Sequence, residues 1–332
     1  MVEAHNISEP KYPAFDFHTH FGPMFLGKDY AQKYDTDQAV STMKLAGVCG
    51  AVNLDGGFGE QTDRMLEKTE GHGDFITTFG GVDLSLFERP DFDTVVYRSL
   101  RDGKRKGIRG VKVWKDLGFW IRGRDGVCLR PDDERLSPVW QAAAEEGLPV
   151  LIHVADPVAF FRPIDERNER LEELAEHPDW SFFGEEYYSF EALLEMQERV
   201  VADNPKTTFI VAHVGSYAEN LAYVGRCLSL YPNMYVDMAD RLAELGRQPY
   251  TAADFLERHA DRVLFSTDSY PLALHRYPTY YRFLETGDEY FEYEPCVRPP
   301  RQGRWRIYGV KLTDPTLKKI YYENAKRILG IT

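Results

Sequence analysis

The chain has 332 residues with a formal net charge of −13, and 43% of its residues are hydrophobic and 14% aromatic. This composition is typical of a globular protein with a large core, and the length allows one large barrel or two domains of common size. The acidity argues against nucleic acid, whose phosphates need clustered Lys and Arg, so we expect a small-molecule partner.

The N-terminal segment has no basic stretch followed by an apolar one, and nowhere do about 18 apolar residues run together. The sequence therefore predicts no membrane partner and a cytoplasmic location. The cysteines lie far apart and outside any CxxC spacing, which predicts free thiols rather than disulfides or a thiolate metal site. They are Cys49, Cys128, Cys227 and Cys296.

Short apolar, β-branched runs alternate with longer amphipathic stretches along the chain, which is typical of βα units around a parallel sheet. The predicted strands cover residues 14–18, 48–54, 75–82, 108–114, 148–153, 207–213, 234–237 and 262–267. Helices are predicted between them, among others at residues 37–46, 134–146, 190–203 and 252–259. Eight repeats predict an α/β protein with the (β/α)8 TIM-barrel fold, as a single domain over residues 1–332.

A doubly wound sheet would usually bind its ligand through a Gly-rich turn, and the sequence has no GxGxxG or GxxxxGK[ST] motif. Two connections, residues 155–189 after strand five and 269–313 after strand eight, are longer than simple turns. We expect them to be active-site loops over the C-terminal mouth. Their aromatic residues either enclose a small organic substrate or pack the loops onto the barrel rim. These residues include Phe160, Phe161, Trp180, Tyr187, Tyr188, Tyr270 and Tyr280.

Histidines and a carboxylate fall at the C-terminal ends of predicted strands. His18 and His20 are separated by one residue, so the period of two in a strand places them on the same side. His153 ends the fifth strand, His213 ends the sixth, and Asp268 follows the eighth. If the strands are parallel, these side chains converge on one rim of the barrel.

A single histidine at a strand end is more often a hydrogen-bonded structural residue than a metal ligand. The joint pattern of HxH on strand one, His on strands five and six, and Asp on strand eight predicts one divalent metal ion. Imidazole and carboxylate ligands suit Zn²⁺ best, although Mn²⁺, Fe²⁺ or Co²⁺ could occupy the same set.

The segments DFHTH, GIRGVKVW, FIVAHVG, PNMYVDM and RVLFSTDSYP, in this order and spacing, cover almost the whole chain. They resemble the amidohydrolase superfamily, in the branch that includes aminocarboxymuconate-semialdehyde decarboxylase and related decarboxylases, lactonases and hydrolases. The resemblance implies that His18, His20, His153 and Asp268 hold the metal, with His213 close by as a catalytic or substrate-orienting group. Barrels of this branch often form dimers, so the resemblance also raises the expectation of a homodimer.

Three further residues are candidates for substrate binding. Some superfamily members carry a carboxylated lysine on the fourth strand, but the branch resembled here usually has a mononuclear site. The resemblance therefore implies an uncarboxylated Lys112, either salt-bridged in the barrel or touching an anionic substrate, with Trp114 on the same strand face. Arg241 could clamp a substrate carboxylate or form an ion pair at a helix start. Lys115 is expected to be a solvated loop charge.

The residues favour a metal-dependent hydrolase that cleaves a lactone, ester or amide through a metal-activated water. Asp268 would accept the proton of this water and return it to the leaving group, while His213 would polarise the carbonyl. The alternative is non-oxidative decarboxylation of a small unsaturated or aromatic acid, which needs a cationic clamp and a flat apolar slot. A catalytically silent binding barrel is a third interpretation, but no expected ligand position is missing.

Overall fold

A computed structural model describes residues 4–271 and 273–331 of the chain. Eight strands form one sheet in sequential order, and each strand is parallel to the next. They are β1 Ala14–Thr19, β2 Val48–Asn53, β3 Ile76–Gly80, β4 Gly110–Val113, β5 Val150–Ile152, β6 Phe209–Val211, β7 Met234–Asp237 and β8 Val263–Leu264. Every predicted strand has its counterpart.

The residues after β8 close the sheet onto β1. The Asp268 N–H donates to the His18 carbonyl at 3.0 Å, and Thr19 pairs in parallel with Ser269. The predicted (β/α)8 TIM barrel is confirmed.

Helices follow the strands and cover the outside of the barrel. They are α1 Pro23–Leu26, α2 Tyr30–Lys33, α3 Thr36–Leu45, α4 Glu60–Lys68, α5 Phe92–Lys106, α6 Asp116–Phe119, α7 Ser137–Glu145, α8 Leu171–Glu176, α9 Phe190–Asp203, α10 Ala212–Gly215, α11 Leu221–Leu230, α12 Leu242–Gly246, α13 Pro249–Arg258, α14 Tyr277–Glu285, α15 Asp314–Lys318 and α16 Asn324–Leu329. The four predicted helices correspond to α3, α7, α9 and α13. A π-helical turn, Lys319–Glu323, joins α15 to α16.

Apolar side chains form two clusters, one inside the barrel and one between the strands and the helices. The inner cluster comes from the strands and from α16, and it consists of Phe15, Phe17, Val52, Leu54, Phe79, Leu151, Ile210, Ala212, Leu264 and Ala325. The outer cluster is much larger and includes residues of most helices. Polar side chains at the ends of the strands are therefore supported by a packed interior.

The two long connections contain short helices, and several of their aromatic side chains belong to the core. Phe182 packs at a tilted angle against Phe119 with ring centres 4.0 Å apart, and Tyr280 packs edge-on against Phe265 at 5.9 Å. Phe182 and Tyr280 are both buried. The geometry favours packing onto the barrel for these residues, and an active-site role for the two connections remains a prediction.

Within residues 4–271 and 273–331, no helix is both long and apolar enough to cross a membrane. The four cysteines are free, as their spacing predicted.

A buried ion pair joins the connection after β5 to helix α12. Arg170 is 1% exposed, and its guanidinium donates to Glu173 at 2.6 Å and to Glu244, which is fully buried. Removing one partner of such a pair leaves an uncompensated charge in the interior. Arg170 thus fixes α8 against α12.

Replacing Arg170 by Met should lower the free energy of unfolding by about 3–5 kcal/mol, because Glu244 would lose its counter-charge. Urea denaturation of the purified variant measures this loss. Arg258→Met is the matched control, since Arg258 and its partner Asp254 are both more than half exposed, and it should cost less than about 1 kcal/mol. Equal losses in the two variants would contradict the assigned role.

Candidate metal centre

Three of the predicted ligands come together at the C-terminal mouth of the barrel. The Asp268 Oδ1 atom lies 3.6 Å from His18 Nε2 and 3.1 Å from His20 Nε2. One donor atom from each of the three residues lies within 4.8 Å of the other two. This spacing places two imidazole nitrogens and a carboxylate oxygen close enough together to hold one metal ion.

A carboxylate behind each of these histidines fixes its orientation. His18 Nδ1 lies 2.8 Å from Asp237 Oδ2, and His20 Nδ1 lies 2.9 Å from Asp55 Oδ1. A carboxylate accepts the hydrogen on Nδ1, so Nε2 of each ring is the nitrogen that faces Asp268. Carboxylate–histidine pairs of this kind orient imidazole ligands in metalloproteins.

His153 lies nearby but outside this compact set of donor atoms. Its ring contacts the His213 ring edge-on, with centres 4.4 Å apart, and its Nε2 lies 3.3 Å from Asp156 Oδ1 without hydrogen-bond alignment. Lys115 Nζ binds Asp156 Oδ2 at 2.6 Å, so Lys115 forms a partly buried ion pair and is not the solvated charge expected from the sequence.

His213 occupies a left-handed backbone conformation, with φ of 57°, at the end of β6. Its N–H donates to Asp237 Oδ1 and its Nδ1 donates to the Ala239 carbonyl, both at 2.8 Å. Since a carbonyl can only accept, the neutral ring carries its hydrogen on Nδ1 and directs a lone pair from Nε2. Nε2 lies 3.9 Å from Asp268 Oδ2. Left-handed non-glycine residues are costly and often mark functional sites.

Burial lowers the pKa of His18, lowers that of His153 to about 4, and lowers that of His213 well below its ordinary value. These three rings are therefore neutral at pH 7, which is the form that binds metal ions.

The charges of His20 and Asp268 are coupled. Burial disfavours the charged imidazole of His20, but Asp55 and Asp268 outweigh it and raise the pKa of His20 to about 9. Burial would raise the pKa of Asp268, but His18, His20 and His213 hold it well below the usual range. Asp268 is therefore an ionised carboxylate at neutral pH.

The donor set fits a divalent metal ion. It offers two imidazole nitrogens and a carboxylate, and His18 and His20 each have a second carboxylate on Nδ1. An ion would displace the proton that His20 carries in its absence. The assignment of His18, His20, His153 and Asp268 as ligands remains a prediction.

The predicted substrate-binding residues lie on two sides of the mouth. Trp114 lies beside His20 with ring centres 5.5 Å apart, and Lys112 Nζ lies 4.8 Å from the centre of the Trp114 ring. Arg241 is buried and donates from Nη1 to the Asp240 carbonyl at 2.7 Å.

Sequence reasoning missed the groups that hold the site in place. Asp55, Asp156 and Asp237 follow or end β2, β5 and β7, so acidic residues at strand ends were the available signal. Arg276 had no such signal, because it lies within the long connection after β8. It donates to the Asp268 carbonyl at 3.1 Å and also binds the Asp240 side chain.

The chain is an eight-stranded barrel with histidines and an aspartate at the carboxyl ends of its strands, which is where barrel enzymes have their active sites. The sequence matches the family model described as Amidohydrolase over residues 15–331. The chain belongs to this family, and the resemblance to the amidohydrolase superfamily is confirmed. No curated protein matches the sequence significantly.

Solved structures with the same fold include enzymes of different activities. A dihydroxybenzoic acid decarboxylase from Polaromonas sp. JS666, with bound manganese and the inhibitor 2-nitroresorcinol, is 16% identical with a TM-score of 0.59, covering 96% of this chain and 97% of its own. An amidohydrolase from Burkholderia multivorans with bound zinc is 13% identical, with a TM-score of 0.54 and coverage of 96% and 99%. A probable 2-pyrone-4,6-dicarboxylic acid hydrolase from Acinetobacter baumannii, with bound citric acid, is 10% identical, with a TM-score of 0.53 and coverage of 96% and 100%. At these identities the likeness shows the fold alone.

Asp237→Asn should weaken zinc affinity about 10- to 100-fold, because the orienting acceptor of His18 would become an amide. Competition with a chromophoric chelator measures the affinity. Asp261→Asn serves as the control, because Asp261 is 66% exposed and lies in an ion pair with Lys319. Unchanged zinc affinity in a folded Asp237→Asn protein would refute the orienting role.

Proposed function

We propose that the protein is a metal-dependent decarboxylase of a small aromatic or unsaturated carboxylic acid. The observation that carries this proposal is the aromatic wall directly beside the candidate metal centre. Phe25 and Trp114 flank His20 with ring centres 5.2 and 5.5 Å away, and Tyr270 lies 6.1 Å from Phe25. Such a wall suits a flat, conjugated substrate.

A cationic side chain beside His213 suits an acid. Arg241 lies close to His213. Burial lowers the pKa of the His213 ring, and the positive charge of Arg241 lowers it further. Its guanidinium uses one nitrogen on the Asp240 carbonyl, and its remaining donors could pair with a carboxylate. The aromatic wall and the cation beside His213 support decarboxylation, and we therefore reverse the order of preference drawn from the sequence.

His18, His20, His153 and Asp268 would hold the ion. A divalent ion there would supply Lewis acidity toward a carboxylate or hydroxyl oxygen of the substrate. Net decarboxylation breaks the bond between the carboxyl group and its carbon, leaves the electron pair on that carbon, and adds one proton there.

Asp268 and His213 are the groups placed to handle this proton. Asp268 is ionised at rest, so it can take up a proton and deliver it to the carbon. Neutral His213 presents an Nε2 lone pair, so it would accept a hydrogen bond from a substrate hydroxyl. This role differs from the polarisation of a carbonyl expected from the sequence, because Nε2 carries no hydrogen in the neutral ring.

Hydrolysis of a lactone, ester or amide is the second candidate. Asp268 and His213 face each other at 3.9 Å, and both can accept a proton. Two acceptors at one mouth also suit attack by water on a carbonyl. The fold of the pyrone dicarboxylate hydrolase is compatible with this chemistry, but no residue of this chain favours it over decarboxylation.

Zinc- or manganese-loaded protein should release CO₂ from a hydroxylated benzoate or an unsaturated carboxylic acid, and should leave lactones and amides intact. A panel of these compounds, with CO₂ and acid release followed separately, tests this expectation. The His18→Ala/His20→Ala double variant is the negative control. Acid release from a lactone without CO₂ would favour the hydrolase, and metal binding without turnover of any compound would favour a silent binding barrel.

His213→Asn should lower kcat by about 10²- to 10⁴-fold, because the acceptor at Nε2 is lost. Asparagine tolerates the left-handed backbone at this position better than other residues of its size. Zinc affinity should stay unchanged, because His213 is outside the proposed ligand set. Loss of zinc together with activity would instead make His213 a ligand.

A further inference from the structure

Lys112 is a buried cation for which the sequence left two roles open, an ion pair within the barrel or contact with an anionic substrate. Its strand neighbours Val111 and Val113 belong to the outer cluster, so alternation directs Lys112 into the barrel. The side chain is 3% exposed. Among the residues that the structure describes, Nζ has no hydrogen-bond partner.

The carboxylates nearest to Lys112 are engaged elsewhere. Burial lowers the pKa of Lys112 to about 8, and Asp268, Asp237 and Asp55 oppose this shift. Asp237 and Asp55 already bind the Nδ1 atoms of His18 and His20. The Lys112 side chain is mostly an ammonium at neutral pH, and it lies over the face of the Trp114 ring in a cation–π contact. A buried ammonium without a hydrogen-bond acceptor or a carboxylate of its own is still costly.

We propose that Lys112 Nζ binds a second anionic group of the substrate. The substrate is then a small aromatic acid with two anionic substituents. The second group is a carboxylate or a phenolate, which an ammonium recognises in the same way. This inference rests on the proposed function, because it assumes that the first carboxylate binds beside the metal centre.

The Trp114 ring lies beside both Lys112 and His20, where the two anionic groups of the substrate would bind. Its centre lies 4.8 Å from Lys112 Nζ and 5.5 Å from the centre of the His20 ring. A flat ring stacked on Trp114 would direct one substituent toward His20 and Asp268 and another toward Lys112. Benzoates with two acidic groups on neighbouring or alternate carbons fit this arrangement, whereas monoacids leave the ammonium unpaired.

The test compares two probes on zinc-loaded protein by titration calorimetry, which needs no turnover. Isophthalate carries two carboxylates in a 1,3 arrangement, and benzoate carries one. We expect isophthalate to bind about 10- to 100-fold more tightly than benzoate, and Lys112→Met to abolish this difference. Lys112→Arg should retain part of the preference, because it keeps the charge. Lys206→Met, which removes an exposed lysine, should change nothing.

Several outcomes would overturn the proposal. Equal binding of the two probes to the unmodified protein would do so even if Lys112→Met failed to fold. An equal loss of affinity for the two probes in Lys112→Met would also overturn it. A peptide mass increased by one CO₂ at Lys112 would show that the lysine is carboxylated and has another partner.

The same experiment separates this inference from the proposed function. A Lys112-dependent preference for isophthalate, without CO₂ release from any acid, would support anion binding by Lys112 and refute the decarboxylase. CO₂ release without any effect of Lys112→Met on isophthalate binding would support the decarboxylase and refute anion binding by Lys112.

Discussion

Closure of the barrel between β1 and the segment after β8 is the interaction on which the site depends. The Asp268 N–H donates to the His18 carbonyl, and the His20 N–H donates to the Ser269 carbonyl at 2.9 Å. These two backbone bonds set the distance between the HxH pair and the carboxylate before any side chain contributes. Residues almost 250 positions apart in sequence are thus brought to one donor set by the parallel ladder, which explains why the site lies at the carboxyl ends of the strands.

Asp237 links this closure to the rest of the centre. One oxygen accepts from the His18 ring and the other from the His213 backbone, so a single buried carboxylate fixes a ring on strand one and a turn after strand six. The left-handed conformation at His213 costs free energy that these hydrogen bonds offset. The conformation also places the His213 Nε2 lone pair opposite Asp268. The backbone conformation positions the ring, and the hydrogen bond from Nδ1 to the Ala239 carbonyl decides that Nε2 faces Asp268.

The strands and the approximate place of the site could be predicted from sequence, because apolar runs ending in His or Asp report both burial and strand direction. The tautomer of His213 could not, since it depends on the Ala239 carbonyl, which any residue at that position would supply. The turn of both HxH rings toward Asp268 was predicted from simple alternation. Yet the register of β1 against β2 shifts between Asp16 and Thr19, and Phe17 points into the same interior. Simple alternation therefore predicted the side on which the two rings lie without accounting for this irregularity in β1.

Lys112 has no carboxylate of its own, although several carboxylates lie around the metal centre. Asp55, Asp156 and Asp237 each face an imidazole, and Asp268 faces three, so each of these acids has a partner before Lys112 is counted. A bound dication would neutralise Asp268 further and would repel the ammonium. The carboxylates would then be engaged by imidazoles and by the ion, and Lys112 would remain without a carboxylate of the protein. An anionic substrate group at Lys112 would supply that partner, which a neutral lactone cannot do.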